Sequence, residues 1–362
     1  MGIPLPMDNT NIMSVKIKAV ARALPQYSRT TSELLPYVDL WLNGQEDRFI
    51  RKVKKIFEGA AVDQRYSIMS PEAIFSALSF EERNAIYSSE VVKLGKSCLV
   101  DALDKSGWQA TDIDLLITVS CTGIMIPSLD AYLINELHLR QDVMRLPVTE
   151  MGCAAGVSGL IYAYNFMKSN PGMRAALIAV ESPTATFQVT DFSMTNVVSA
   201  AMFGDGAACV LLSTFAEDPG PEILDTEMFH FYDSTHFMGF HVKDSGLQMI
   251  LDVDVPDEIA SKFADIIIPF LVKNKLDIAD ISHLLFHPGG KKIIQTAEQF
   301  FSSHGKNLNF TREVMRKFGN MSSVTVLYVL ENFMATQPSA GEKGLMLSFG
   351  PGFTAQRILL GW

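Results

Sequence analysis

One cysteine in this sequence sits where a thiol can serve as a nucleophile. In Val148-Thr-Glu-Met-Gly-Cys-Ala-Ala-Gly-Val-Ser-Gly-Leu160, Cys153 is framed by Gly152, Gly156 and Gly159 just before an apolar, helix-favouring run. Small neighbours let backbone and substrate approach the sulfur. A helix starting there turns unpaired N–H groups and the positive end of its dipole towards it. Both effects favour thiolate over thiol. A free thiol of pKa about 8.5 is only a few per cent ionised at neutral pH, and lowering it by ~2 units takes roughly 2.7 kcal/mol of preferential stabilisation. A helix end alone seldom supplies that, so a partner is needed elsewhere in the chain.

Two further motifs offer partners. His283-Leu-Leu-Phe-His-Pro-Gly-Gly290 puts His287 at the end of a buried strand, before a turn and a helix. That place suits an imidazole in a cleft, and equally a satisfied structural histidine. Phe318-Gly-Asn-Met-Ser-Ser323 puts Asn320 at a helix start, where asparagine is also an ordinary N-cap. Gly344-Leu-Met-Leu-Ser-Phe-Gly-Pro-Gly-Phe353 adds a rigid glycine-proline loop, by itself only a turn. Together they make a coherent set. An imidazolium beside Cys153 would supply the missing pKa depression, and His with Asn could donate two hydrogen bonds to an oxygen becoming an enolate, each worth roughly 3 kcal/mol in the transition state. Acyl-thioester chemistry fits, since a thiolate exchanges readily with a thioester. The order Cys, His, Asn also occurs in papain-like proteases, but their Cys-Gly-Ser-Cys-Trp type sequence is missing.

The elements that must position these residues follow from periodicity. Buried strands are expected at Val15–Ala21, Asp114–Cys121, Ala175–Val180, Ala207–Leu212, His283–His287 and Gly344–Phe349. Helices are expected at Gln45–Glu58, Glu82–Ser106, Leu129–Leu137, Ile259–Asn274, Lys291–His304 and Ser322–Met334, with another opened by Cys153 and running to about Ser169. Cys98 falls on the apolar face of the second helix and reads as core. On Gln45–Glu58, Arg48, Lys52 and Lys55 stack opposite the apolar face. Such a run is commonly a solvated face, but in an acidic chain it is also where phosphates would find partners. Pro219-Gly-Pro221 marks the one clear boundary, dividing 1–218 from 219–362. Both parts alternate helices and buried strands, an α/β architecture of two similar halves whose ligands would bind at strand ends.

Composition narrows the function. The chain has 362 residues and is 48% apolar, ample for a large core and two domains or halves. A net charge of −10 disfavours nucleic acid and anionic membrane as partners. The longest apolar runs, Ala207–Leu212 and Ile266–Val272, are far short of the ~18 residues of a membrane helix. The amino terminus lacks a basic-then-apolar leader, and Met1-Gly2 is followed by Pro6 where a myristoylation motif needs Ser or Thr, so cytoplasmic residence is expected. Cys98, Cys121, Cys153 and Cys209 lie 23, 32 and 56 residues apart, indicating neither a zinc site nor a disulfide framework.

Met151-Gly-Cys-Ala-Ala-Gly156, Met202-Phe-Gly-Asp-Gly-Ala207, His287-Pro-Gly-Gly290, Gly319-Asn-Met-Ser-Ser323 and Phe349-Gly-Pro-Gly-Phe353 together resemble the chalcone-synthase-type, or type III, polyketide synthases. The likeness runs from about residue 15 to the C-terminus, and Cys121-Thr-Gly-Ile-Met-Ile-Pro-Ser128 is most similar to the bacterial branch. It implies a thiolase-like αβαβα layered fold, a homodimer, no bound cofactor or metal, and acyl-CoA and malonyl-CoA used without a carrier protein. By the same resemblance Cys153 would carry the starter and growing chain. His287 and Asn320 would bind the malonyl thioester oxygen as carbon dioxide leaves. Phe203 matches a gatekeeper between cavity and coenzyme A tunnel. Lys52 and Lys55 match two of three basic coenzyme A contacts, the third falling on Gly59.

Departures from the family pattern concern the cavity. Met249 stands for a second gatekeeper phenylalanine, and Phe240 for a glycine, which would narrow the space for elongation. Ser322, Thr186, Thr122 and Ser199 match lining positions. Cys121 replaces a threonine there, or is a core cysteine. The implied activity is iterative decarboxylative condensation closing to a pyrone or a resorcinol, phloroglucinol or naphthalene-type ring. A ketoacyl-acyl carrier protein synthase III shares the fold and the Cys-His-Asn set, but its Gln after the histidine is absent. An inactive thiolase-fold acyl-CoA-binding protein is the remaining alternative.

Overall fold

A computed structural model of the chain describes residues 14–362. Met1, Gly2 and Pro6, on which the reading of the amino terminus rests, lie outside them. In chain order the strands are β1 (Lys16–Ala23), β2 (Tyr27–Thr30), β3 (Gln64–Ser67), β4 (Leu115–Val119), β5 (Met144–Val148), β6 (Arg174–Glu181), β7 (Gly206–Ser213), β8 (Glu222–His230), β9 (Met238–Lys243), β10 (Gly246–Leu251), β11 (His283–Phe286), β12 (Lys343–Gly350) and β13 (Thr354–Gly361). The continuous apolar runs form β4, β6, β7, β11 and β12, whose residues are nearly all buried, as strands covered on both faces must be. β5 was not legible as a strand because it carries Arg145 and Pro147. It lies at the sheet edge, where a missing N–H costs no ladder bond.

Among the described residues nine strands form one sheet in the order β11-β12-β13-β8-β1-β7-β6-β4-β5. Its two parts repeat one topology. In the first, β4 is parallel to β6, β6 antiparallel to β7 and β7 antiparallel to β1; in the second, β11, β12, β13 and β8 follow the same pattern. A single register pair, Lys16 with Glu222, joins them across β1 and β8.

Helices fill the layers between and outside. Ala155–Met167 and Thr325–Ala335 are apolar nearly all round and lie in the central core with side chains from both parts of the sheet. Phe80–Ser106, with its Ser79–Glu82 capping box and left-handed Gly107 stop, covers the opposite face of β1 and β7, and Cys98 is fully buried there. Val255–Lys273 and Lys291–Ser302 cover the second part. The result is the layered αβαβα arrangement. Gly156 shows why the central helices need small residues, since an added Cβ would come within 2.2 Å of the Ser323 carbonyl oxygen. Among the described residues no helix is long and apolar enough to cross a membrane.

Candidate active site

Cys153 lies in a 3-10 turn, Gly152–Ala154, that leads into the helix Ala155–Met167. Gly152 has φ +49° and packs against Pro351, where any Cβ would collide at 2.6 Å. Pro351, just past the end of β12, thus braces the Cys153 turn, and the Ser348 hydroxyl donates to the Cys153 carbonyl at 2.8 Å. His287 follows β11 directly, its N–H donating to Leu347 O at 2.9 Å. Its ring is 2% exposed, and neither Nδ1 nor Nε2 has a hydrogen-bond partner.

Asn320 is not the N-cap that its position suggested, since Met321 caps the 3-10 turn Ser322–Val324. Its Oδ1 accepts the Ser322 N–H at 2.8 Å and the Thr325 hydroxyl at 3.3 Å, bonds that reach that turn and the first residue of the helix after it. Those bonds fix the amide orientation and leave Nδ2 as the free end, with only a long contact to Gly289 O at 3.4 Å. Its backbone is tied to the segment around Phe203 by Asn320 N–H to Met202 O and Gly204 N–H to Asn320 O, both 3.0 Å.

Cys153, His287 and Asn320 line one pocket, together with Cys121, Thr122, Phe203, Phe240, Met249 and Ser322. Phe240 and Met249 are register partners on the β9–β10 hairpin, so their side chains share a face. Thr186 and Ser199 line an adjoining pocket that meets the first at Pro183, Phe203 and Met249. Free space is about 40 Å³ in the first and about 50 Å³ in the second, room for only a few atoms in each. Met202, Leu251, Gly289 and Ile293 also line a separate groove of about 460 Å³, which Lys55 borders. Lys52 is exposed one turn earlier on the helix Asp47–Gly59, outside that lining. Phe203 lines the two small pockets, and its neighbour Met202 lines the groove.

A buried acid beneath the site was missed from sequence. Glu181, at the end of β6, is fully buried and accepts from Cys121 N–H (3.1 Å), Thr122 Oγ1 (2.8 Å) and Ser323 Oγ (2.6 Å). Burial raises its pKa while those donors lower it. Its one signal was an acid closing an otherwise apolar strand. Cys121 lies on the cavity wall against this carboxylate, with Sγ 3.9 Å from Ser322 Oγ.

The expected imidazolium beside Cys153 is not what the burial favours. Desolvation pushes the Cys153 thiol up to about 12, helped by the Glu181 charge and opposed by Ser322 and Asn320. Burial pushes His287 down to about 3. Burial by itself thus favours the uncharged thiol and the uncharged imidazole, since neither charge has water to solvate it. Alkylation of Cys153 by iodoacetamide, followed by peptide mass spectrometry, should accelerate about tenfold per pH unit from pH 6 to 9 without a plateau, since the thiolate fraction rises that way below the pKa. A plateau already reached at pH 7 would show the ion pair instead.

The chain matches chalcone and stilbene synthases, N-terminal domain, over residues 9–216 and the C-terminal domain of the same family over residues 226–361. It is 33% identical over 355 residues to a 1,3,6,8-tetrahydroxynaphthalene synthase of Streptomyces peucetius subsp. caesius, covering 96% of this chain and 93% of that one. A putative chalcone synthase of Bacillus subtilis is 29% identical, with 96% and 98% covered. The crystal structure of the 1,3,6,8-tetrahydroxynaphthalene synthase of Streptomyces coelicolor A3(2), a bacterial type III polyketide synthase, superposes with TM-score 0.90 at 26% identity over 96% of this chain and 99% of that one. With both halves matched and the layered fold shared, the chain belongs to the chalcone and stilbene synthase family and is an acyltransferase of the type III polyketide synthase class.

Proposed function

We propose that this enzyme loads an acyl-CoA starter onto Cys153 and extends it iteratively with malonyl-CoA. The product is then closed to a pyrone or a resorcinol, phloroglucinol or naphthalene-type phenolic ring. The observation that carries this is the convergence of a buried thiol, an unpartnered imidazole and an oriented amide N–H on one pocket that shares a wall with a lysine-bearing groove. Thiol-to-thioester exchange moves the acyl group to Cys153 Sγ and expels coenzyme A as its thiol, the Cys153 proton passing by way of His287 to the departing sulfur. Loss of carbon dioxide from malonyl-CoA leaves an enolate, which His287 and Asn320 Nδ2 hold by two hydrogen bonds. The enolate carbon attacks the Cys153 thioester and expels the Cys153 thiolate, which then exchanges with the lengthened acyl-CoA to reload the sulfur for the next round and release coenzyme A. Each reactive group arrives on substrate, so no resident cofactor is required. The enzyme works as a homodimer in the cytoplasm, on free coenzyme A thioesters, with 1–218 carrying the nucleophile half and 219–362 the His and Asn half.

The cramped pocket makes wall residues the determinants of product size. With about 40 Å³ free, elongation requires Phe240 or Met249 to swing aside, and Met249, shared by both small pockets, joins them when it moves. The test is a panel of acyl-CoA starters with malonyl-CoA and no carrier protein, read by mass spectrometry. Polyketide products are expected, and Phe240→Gly should move them towards more condensations or bulkier starters. Turnover only when a carrier protein is supplied would overturn the reading. An identical profile in the variant would remove Phe240 from the limiting wall.

A further inference from the structure

The resemblance leaves the coenzyme A grip one cation short, because Gly59 occupies the third basic position. The groove beside the catalytic pocket shows what stands nearby. It is lined by Lys55 and Gly59 from the helix Asp47–Gly59 and by Lys291 and Lys292 from the start of the helix Lys291–Ser302. Lys291 Nζ donates to the Gly59 carbonyl at 3.4 Å, which brings its ammonium to the end of the helix Asp47–Gly59.

Lysines in the first turn of a helix oppose its dipole, and this first turn has neither an acid nor a side-chain cap at Gly290. Among the described residues Lys55, Lys291 and Lys292 make no salt bridge, whereas neighbouring Lys54 pairs with Asp39 at 2.9 Å. Asp252, the one carboxylate in the groove wall, accepts the Asp254 N–H at 2.9 Å. Three unpaired ammonium groups around a cavity, in a chain of net charge −10, form an arrangement that an anion relieves.

We propose that Lys291 and Lys292 bind the phosphates of the coenzyme A thioesters, replacing the cation lost at Gly59 from the opposite wall of the groove. This rests on the coenzyme A thioester reading given above. The chain segment that carries His287 then also carries the phosphate contacts, only four and five residues further on.

The experiment compares wild type with a Lys291→Gln, Lys292→Gln double variant in carbon dioxide release from malonyl-CoA and from malonyl-N-acetylcysteamine, a thioester without phosphates. The ratio of kcat/KM for malonyl-CoA over the short thioester should fall about 5- to 20-fold, the size of two exposed ion pairs, through KM. Adding Gly59→Lys to the double variant should restore it, since a Cβ at Gly59 meets nothing within 4 Å. Malonyl-3′-dephospho-CoA divides the contact: a ratio still lowered places the lysines on the diphosphate, and one that is not places them on the 3′-phosphate. A ratio within twofold of wild type, or equal loss on both thioesters, overturns the proposal. If wild type decarboxylates neither thioester, the functional reading fails instead.

Discussion

Carbon dioxide release from malonyl-CoA should fall by about four orders of magnitude or more in the His287→Ala, Asn320→Ala double variant. One preorganised donor to a developing oxyanion is worth about 10²–10³ in rate, and here two are lost from a site with little water to replace them. Each single variant should lose about 10² or more. If the two act as a unit, the double variant will be only slightly worse than either single one. His287, held down to about 3 by burial, is neutral through the assay range, so its contribution should not vary between pH 6 and 9. Asn320→Asp separates the two duties of that amide. It keeps an acceptor for the Ser322 N–H while deleting the Nδ2 donor, so activity lost in Asp as well as Ala reports the donor and not the Oδ1 contact. Double-variant rates within tenfold of wild type would sink the assignment of both residues.

Cys153→Ala should abolish polyketide product and the acyl-enzyme mass adduct together, while measurable decarboxylation of malonyl-CoA persists. Covalent attachment and enolate formation use different groups, and the decarboxylating pair does not pass through sulfur. The substitution trims one atom at a 7% exposed site, so the fold should tolerate it. Intact-protein mass spectrometry after incubation with an acyl-CoA reads the adduct directly. An adduct surviving in Cys153→Ala would move the carrier to another thiol, and Cys121 on the same wall is the residue to map first.

That Cys153, His287 and Asn320 belong together was legible because each sits beside a glycine-rich turn at an element boundary, a local pattern that needs no knowledge of packing, and the three do line one pocket. The long buried strands were legible for the same reason. What escaped the sequence depends on assembly. Glu181 looks like the polar end of a strand until Cys121, Thr122 and Ser323, from two other segments, close around it. The neutral state of Cys153 and His287 follows from desolvation, which no spacing reveals. Thr186 and Ser199 fall into a separate small pocket because Met249 and Phe203 stand between, and that partition belongs to the tertiary fold. Lys291 reads as an ordinary helix residue until it reaches across to Gly59.

The β9–β10 hairpin that bears Phe240 and Met249 forms its own two-stranded sheet, apart from the nine strands that hold Cys153, His287 and Asn320 in place. In evolutionary terms this separates what can drift from what cannot. Substitutions on the hairpin alter the mould in which a chain grows without disturbing the register that aligns the reacting atoms. On the proposed reading, changes of product can then be sought one residue at a time on the hairpin, and the hairpin is the natural unit to exchange when engineering this scaffold.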